Sequence, residues 1–98
     1  MILVTGTVQV QPDKLDEAIA AGLVHSRRSR EEPGCISHNL HQDVEDPNRL
    51  VFVEYWRDRA SLDTHFSVPE SGEFVASVSR LAAQAPSMDI FEAEPTRI

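Results

Sequence analysis

The sequence predicts an α+β domain of the ferredoxin-like type, with the order β-α-β-β-α-β and a four-stranded antiparallel sheet that carries its helices on one face. Two observations predict this fold. Apolar and polar residues alternate in four segments, and apolar residues recur at helical spacing in the segments between them. At 98 residues the chain can bury one core, so we expect a single domain over residues 1–98 with a polar tail from about residue 95.

The first strand and the first helix are expected before residue 33. Alternation runs from Met1 to Val10, the two-residue period of a half-buried strand, and Gly6 on its apolar side predicts that something packs closely there. Pro12 suits the first turn of a helix that ends before Gly34. The apolar stripe of this helix has helical spacing: Leu15, Ala18, Ile19, Gly22 and Leu23.

A β-hairpin is expected next, with strands over residues 35–44 and 50–56 joined by the turn sequence EDPN. On the second of these strands Phe52, Glu54 and Trp56 must share one face. Alternation over the first strand puts Ile36, His38 and Leu40 on one face and Cys35, Ser37 and Asn39 on the other, so two registers are open. We favour the one that places His38 and Leu40 beside that face over the one that places Ser37 and Asn39 there.

Two more helical segments and a strand complete the pattern. A helical pattern begins at Ala60 and is expected to be interrupted at Pro69 and Gly72, after which a longer helix continues toward Pro86. A last strand is expected over residues 88–94, with Ile90 as its best core candidate. Helices on one face leave the other face of the sheet bare, and apolar residues occupy it in any register. We therefore expect a homodimer through the sheet face.

Composition and charge exclude several classes of partner. The net charge of -7 repels a phosphate backbone, so no nucleic-acid partner is expected. The run Arg27, Arg28 and Arg30 is either a solvated helix end or a patch for an anion or nucleic acid. One cysteine, no leader-like beginning and no long apolar run predict a cytoplasmic protein without a membrane partner.

Three side chains are the candidates for chemistry, and each has two interpretations. Glu54 on an apolar strand face is either a hydrogen-bonded structural acid or a base with a raised pKa. Trp56 either fills the core or forms a wall for a planar substrate. His65 is either a surface or capping residue or an acid-base group, provided that its helix turns back over the strand. His38, His41 and His25 are weaker candidates, because a strand histidine that faces apolar neighbours is often a hydrogen-bonded core residue.

The spacing of potential metal ligands does not predict a metal site. His38 and His41 are three positions apart on a strand and so face opposite ways, and Cys35 with His38 has the same defect. Cys35 itself is either a reactive thiol or a small buried apolar residue. No metal is therefore expected, and the sequence has no Gly-rich phosphate loop that would indicate a nucleotide cofactor.

Four short motifs together resemble the antibiotic biosynthesis monooxygenase family. The family has an E-x-G-C-hydrophobe turn, a D-P hairpin, an E-x-W strand end and an A-L-x-x-H helix start. In this chain they correspond to EPGCI at 32–36, DPNR at 46–49, FVEYW at 52–56 and ASLDTHF at 60–66. The resemblance extends over nearly the whole chain in element order.

The resemblance implies a dimeric α+β barrel in which two sheets face each other and each subunit has a cavity between sheet and helices. Several members oxidise phenols or quinols with molecular oxygen and no metal or flavin, while others degrade haem or isomerise small phosphorylated ketones. The chain departs from the family pattern at Glu70, where a second histidine is common, and at His38, where tyrosine is common. It also has Phe52 where some quinol-oxidising members have a polar residue.

The function hypothesis is a cofactor-independent monooxygenase acting on a small aromatic substrate with molecular oxygen. Its catalytic residues would be His65, Glu54 and His38, and its substrate would contact Trp56, Phe52 and Leu40. The alternatives are a binding protein without catalysis, or a haem-degrading or isomerase relative of the same fold.

Overall fold

The computed structural model describes residues 1–96 and has the predicted order of elements. Residues 97 and 98 of the expected polar tail lie outside the described residues. The elements are β1 (Ile2–Gln9), a 3-10 turn (Pro12–Lys14), α1 (Leu15–Ser29), β2 (Cys35–Gln42), β3 (Arg49–Trp56), α2 (Arg59–Ser67), α3 (Pro69–Leu81) and β4 (Ser87–Glu92). The sheet is antiparallel throughout, in the order β2-β3-β1-β4.

The core lies between one face of the sheet and the helices. Every second residue of β1 and of β3 is buried, which is the alternation that the sequence predicts. Near α1 and α3 the core contains Val8, Leu50 and Val78, and near α2 it contains Val4 and Trp56. Burying an aliphatic or aromatic side chain of this size stabilises a fold by about 1.5–3 kcal/mol, so these positions determine how the sheet and helices pack.

The interruption predicted in the second helical region falls at one of its two expected positions. Val68 is extended, with φ -72° and ψ 140°, and separates α2 from α3. Pro69 is then the first residue of α3, where its missing N–H would have no helical partner in any case. The prediction for Gly72 is wrong, because that residue continues α3 on its exposed side.

Close packing occurs at a different glycine from the predicted one. A Cβ at Gly6 would meet nothing nearer than 3.9 Å, so the prediction of a close neighbour there is wrong. The tight position is Gly22 on α1, where a Cβ would lie 2.8 Å from Leu40 and 3.0 Å from Phe52. Because Gly22 has no side chain, α1 can approach the sheet closely. At Gly6 the absence of a side chain leaves open space instead.

A β-bulge changes the start of β2. Cys35 pairs with Trp56 and Ser37 with Tyr55, so Ile36 is an extra residue in the ladder. The bulge leaves Ile36 58% exposed and packs Cys35 against the core cluster around Trp56. The simple alternation, which put Ile36 on the face of His38 and Cys35 on the other, is therefore wrong at this end. β2 also ends two residues early, before the fully exposed Val44.

The prediction that Ile90 belongs to the core is wrong for the described chain. All six residues of β4 are exposed, and Ile90 is 37% exposed. β4 is an edge strand paired only with β1. On the side that faces the helices, β4 borders a cavity and does not pack against a helix. Met88 is one of the residues that line this cavity.

The sheet face away from the helices is partly exposed and contains a row of apolar side chains. Leu3 pairs with Tyr55 on one side and Phe91 on the other, and Val51 and Val53 continue the row on β3. Phe91 is 49% exposed. Among the described residues, no helix has the length and apolar character that crossing a bilayer requires.

Candidate functional site

β3 brings the predicted site residues to the inner face of the sheet. Phe52, Glu54 and Trp56 are all buried there, and Glu54 is only 4% exposed. His38 pairs with Glu54, and Leu40 pairs with Phe52. The favoured register is confirmed, so a carboxyl group and an imidazole lie side by side in the interior.

Glu54 is held by the indole two residues further along its strand. Trp56 Nε1 donates a hydrogen bond of 2.9 Å to Glu54 Oε1. The other carboxyl oxygen, Oε2, lies 3.4 Å from His38 Nε2. Trp56 is fully buried among Ile2, Val4 and Leu62, so its indole fills the core and orients the acid.

α2 turns back over the end of β3, as the His65 hypothesis requires. Asp58 caps the helix by accepting a hydrogen bond of 2.8 Å from the Ser61 N–H, which fixes the direction in which the helix leaves the strand. The His65 ring then lies 4.6 Å from the Trp56 ring, centroid to centroid. His65 is 3% exposed, so it is neither a surface nor a capping residue.

A carboxylate outside the predicted set orients His65. Glu32 Oε1 lies 2.9 Å from His65 Nδ1, and Glu32 Oε2 accepts a hydrogen bond of 2.7 Å from Arg28. An ionised carboxylate can only accept, so His65 Nδ1 carries the proton and Nε2 keeps its lone pair. Glu32 appeared in the sequence only as part of the EPGCI turn, where nothing indicates which side chain it meets.

His38 has one satisfied nitrogen and one unsatisfied nitrogen. Its Nδ1 lies 2.8 Å from Ser26 Oγ, and its Nε2 is the buried side-chain atom without a hydrogen-bond partner in residues 1–96. The neighbouring Glu54 Oε2 is close enough for attraction but is not aligned for a hydrogen bond. An unpaired buried nitrogen costs stability, so its presence at this place needs an explanation.

His25 is a member of the site that sequence reasoning rated too low. It is 7% exposed and stacks on Phe74 with ring centroids 4.0 Å apart. Its ring lies 5.1 Å from that of His38 and 5.3 Å from that of His65. The signal was available in the sequence, because His25 follows Gly22 by three residues and so continues the buried stripe of α1.

A cavity of ≈ 320 Å³ opens between α3 and the sheet, above Gly6. Its walls are largely apolar, with Phe52, Phe74, Val78 and Met88 among them, and its polar groups include Glu54, His25 and His65. Cavities that bind small molecules have this character, an apolar lining with a few placed polar groups, and this volume lies at the small end of their range.

The cavity divides the predicted residues into two groups. Phe52, Glu54 and His65 line it, whereas His38, Leu40 and Trp56 are not among its lining residues. His38 and Trp56 are fully buried behind Glu54 and contact it. A ligand in the cavity would thus contact Glu54 and His65 directly, whereas His38 and Trp56 would affect it only through their contacts with Glu54.

Burial determines the charge state of this cluster. It raises the pKa of Glu54 to about 7, against the opposing effect of the Trp56 hydrogen bond, and lowers the pKa of His25 and of His38 to about 3. Burial also lowers the pKa of His65, although Glu32 opposes that change. The three imidazoles are therefore neutral near pH 7.

The fold and this cavity define the class of protein: a ferredoxin-like α+β domain with a small internal pocket containing an acid and imidazoles. The family model for antibiotic biosynthesis monooxygenase matches residues 1–77, and the chain belongs to that family. The resemblance seen in the four motifs is thereby confirmed.

Individual relatives and solved structures are similar to this chain over most of its length. An uncharacterized protein of Synechocystis sp. is 40% identical over 98% of this chain, and the chain spans 65% of that relative's length. YcnE of Bacillus subtilis, whose name describes a candidate monooxygenase, is 29% identical over 96% of this chain and 97% of its own. A Deinococcus radiodurans protein, described as a candidate member of the same family, has a TM-score of 0.94 at 17% identity, over 100% of this chain and 97% of its own. At that identity the similarity shows the fold alone.

Proposed function

We propose that the protein is a cofactor-independent monooxygenase that oxidises a small phenol or quinol with molecular oxygen. The observation that carries the proposal is the position of Glu54 and His65 in one apolar cavity of ≈ 320 Å³. An apolar cavity excludes water and suits a flat aromatic ring. The two polar side chains can accept a hydrogen bond from the hydroxyl group on that ring.

His65 is the proposed base. Glu32 holds the proton on His65 Nδ1 at 2.9 Å, which leaves Nε2 free to take the proton of a phenolic hydroxyl. This is the arrangement of a base oriented by a carboxylate, as in catalytic triads. Glu54, beside it in the cavity, would supply a proton to the reduced oxygen, and Phe52 would contact the ring. His38 and Trp56 would act by holding Glu54, and Leu40 by packing behind Phe52.

The proposed reaction balances without an external reductant. The phenolate carbon forms a bond to one atom of O₂ to give a peroxide, and cleavage of the O–O bond leaves a second carbonyl on the ring. The other oxygen atom leaves as water with two protons from the substrate. A phenol and O₂ thus become a quinone and water, and all the electrons that reduce the oxygen come from the phenol.

A second candidate function is binding without catalysis. The hydrogen bond from Trp56 to Glu54 favours it, because a buried acid that accepts such a bond serves the structure whether or not chemistry occurs. In this case the same cavity would hold a small aromatic molecule and leave it unchanged. A haem-degrading function is less well supported, since a pocket of ≈ 320 Å³ is small for a porphyrin.

One screen separates the two candidates. Chelator-treated protein is first tested for thermal stabilisation by a panel of phenols and quinols, and each ligand that stabilises it is then followed with an oxygen electrode and by mass analysis of the products. Oxygen uptake with formation of the quinone supports the monooxygenase. Stabilisation with the ligand recovered unchanged supports the binding protein and contradicts the enzyme.

The proposed assembly is a homodimer through the sheet face that the helices leave uncovered. The apolar row formed by Leu3, Val53, Tyr55 and Phe91 supports it, since exposed apolar patches of this kind commonly mark contact surfaces. Light scattering should give twice the mass of one chain for the wild type. The variant Val53→Glu, which places a charge in the row, should give the mass of one chain while keeping its helical spectrum.

A further inference from the structure

Three imidazoles from three different elements meet in the interior beside Glu54. His25 belongs to α1, His38 to β2 and His65 to α2, and one ring nitrogen of each lies within 4.8 Å of the corresponding nitrogens of the others. They are 7%, 0% and 3% exposed. Separations of 12 or more residues along the chain explain why no motif predicts this cluster.

We propose that His25, His38 and His65 form a binding site for a divalent first-row transition ion of the Zn²⁺ class, with the Glu54 carboxyl beside its open position. Imidazole nitrogens are favoured ligands of such ions, and three of them with one free position is a common arrangement. The ion would occupy His65 Nε2, the nitrogen that the proposed oxidation uses as its base, so the metal-bound chain and the catalytic chain would be alternative states; the inference concerns binding to the metal-free chain.

The first support is that the outer nitrogens of two rings are already held. Metal-bound histidines usually engage their second nitrogen with a carboxylate, a carbonyl or another polar group, which fixes the ring and its tautomer. His65 Nδ1 contacts Glu32 at 2.9 Å, and His38 Nδ1 contacts Ser26 Oγ at 2.8 Å. In both rings Nε2 is the nitrogen left for an ion.

The second support is the unpartnered Nε2 of His38. This atom is fully buried and has no hydrogen-bond partner within residues 1–96. An ion would satisfy it, and would do the same for the lone pair of His65 Nε2.

The site has an access route and the charge to hold a cation. His25, His65 and Glu54 line the cavity, so an ion can enter from that side. The carboxylate of Glu32 offsets the nearby Arg28 guanidinium, to which it is paired at 2.7 Å. The Glu54 carboxyl lies next to this site, with Oε2 3.4 Å from His38 Nε2.

Binding requires two small adjustments. Ligand nitrogens around tetrahedral Zn²⁺ are about 3.4 Å apart, as Zn–N bonds of about 2.0–2.1 Å dictate, so the rings must move together from separations of up to 4.8 Å. His25 Nδ1 must also give up its 3.2 Å contact with Arg28 in order to carry a proton. Arg28 retains its ion pair with Glu32, so this second change is small.

The test uses the metal-free full chain without an affinity tag. Zn²⁺ titrated into the wild type is expected to bind at one ion per chain, and Co²⁺ to give visible absorption bands. His25→Phe and His65→Phe, which keep a ring in each place, should weaken Zn²⁺ binding by at least about 100-fold. The matched control is His41→Ala, which removes an exposed histidine of the same strand as His38 and should bind Zn²⁺ like the wild type.

Two further measurements cover variants that fail to fold. Ser26→Ala leaves all three ligands in place and should weaken Zn²⁺ binding by about 10–100-fold through His38. Histidine ring nitrogen NMR signals of the wild type should shift on Zn²⁺ addition for the three proposed ligands and stay unchanged for His41. Absence of Zn²⁺ binding by the wild type, or loss of binding in His41→Ala alone, would overturn the proposal. None of these measurements involves a phenol or oxygen, so they leave the proposed function separately testable.

Discussion

Trp56 Nε1 donates a hydrogen bond of 2.9 Å to Glu54 Oε1, and this contact leaves Oε2 as the carboxyl oxygen that faces His38 Nε2 at 3.4 Å. When Glu54 is protonated, the accepting oxygen Oε1 is the carbonyl oxygen, so the proton belongs on Oε2. That oxygen is the one nearest the unpartnered nitrogen of His38, although the two atoms are not aligned for a hydrogen bond. Two paired strands thus hold an indole and an acid on β3 next to an imidazole on β2.

The raised pKa of Glu54 predicts a specific pH dependence of stability. Its pKa rises from 4.5 in the unfolded chain to about 7 in the folded protein. The contribution of Glu54 is therefore fully present below pH 4.5 and is lost as the pH rises through 7, by roughly 2–3 kcal/mol. Glu54→Gln keeps an acceptor for Trp56 and cannot ionise, so it should gain stability relative to the wild type as the pH rises.

The measurement is denaturant unfolding of metal-free wild type and Glu54→Gln at about pH 5 and about pH 8. His25 and His38 titrate in the opposite sense, since lowered pKa values make their contribution disappear as the pH falls, but this effect is common to both proteins. Glu73→Gln, at an exposed position on α3, is the control. An equal difference between wild type and Glu54→Gln at both pH values would contradict the raised pKa.

Gly34 should tolerate no side chain, whereas Gly72 should. Gly34 has a φ of +84°, and a Cβ there would collide with the side chain of Ser61 at the start of α2. Gly34→Ala should therefore destabilise the protein by at least about 1–2 kcal/mol. Gly72→Ala, on an exposed helix turn with nothing within 4 Å, should instead stabilise it by about 0.5–1 kcal/mol. Urea unfolding of the two variants measures both changes in the free energy of unfolding. A Gly34→Ala variant as stable as the wild type would contradict the requirement for glycine at this turn.

Cys35 should be an unreactive thiol. Burial, with the nearby Glu54 and Glu32 carboxylates, raises its pKa from 9.0 to about 11. The thiolate fraction at pH 8 is then about 100-fold lower than in the unfolded chain, and alkylation should slow by a similar factor. The rate with iodoacetamide, compared between native and urea-unfolded protein, tests this. Equal rates would favour the reactive-thiol interpretation.

The cavity should be closed by one substitution on β1. The nearest atoms to a Cβ at Gly6 are Phe52 Cβ at 3.9 Å and Ser87 O at 4.0 Å, and the space beyond them is the cavity. Gly6→Val should fill that space and abolish thermal stabilisation by any phenol that stabilises the wild type, while the fold is kept because valine is favourable in strands. Gly72→Ala is the matched control and should keep the ligand response. Unchanged ligand affinity in Gly6→Val would place the ligand elsewhere.

Those features that depend on strand periodicity could be predicted from the sequence. A period of two forces Phe52, Glu54 and Trp56 onto one face, and the apolar surroundings then make the register with His38 the better one. The capping residue Asp58 also lies where a helix start was expected, and so His65 returns over the strand. Local rules determine all of these features.

The features that could not be predicted depend on single departures from those rules or on distant contacts. An extra residue at Ile36 reversed the faces assigned to the start of β2, and hydrophobicity alone does not reveal a bulge. Glu32 meets His65 across 33 residues of chain, which no spacing rule encodes. His25 is rated too low by the sequence because the predicted helical stripe contains only apolar members, although the polar residues beyond Gly22 continue it.

The most direct test of the proposed function is the source of the oxygen in the product. Chelator-treated wild type is incubated with its best phenol ligand under isotope-labelled O₂, in parallel with Gly6→Val, His65→Phe and Gly72→Ala. We expect one labelled oxygen atom per quinone with the wild type and Gly72→Ala, and a loss of at least about 100-fold in rate with the other two. A ligand that binds tightly in the cavity of the wild type but gains no labelled oxygen would contradict the account and leave a binding protein.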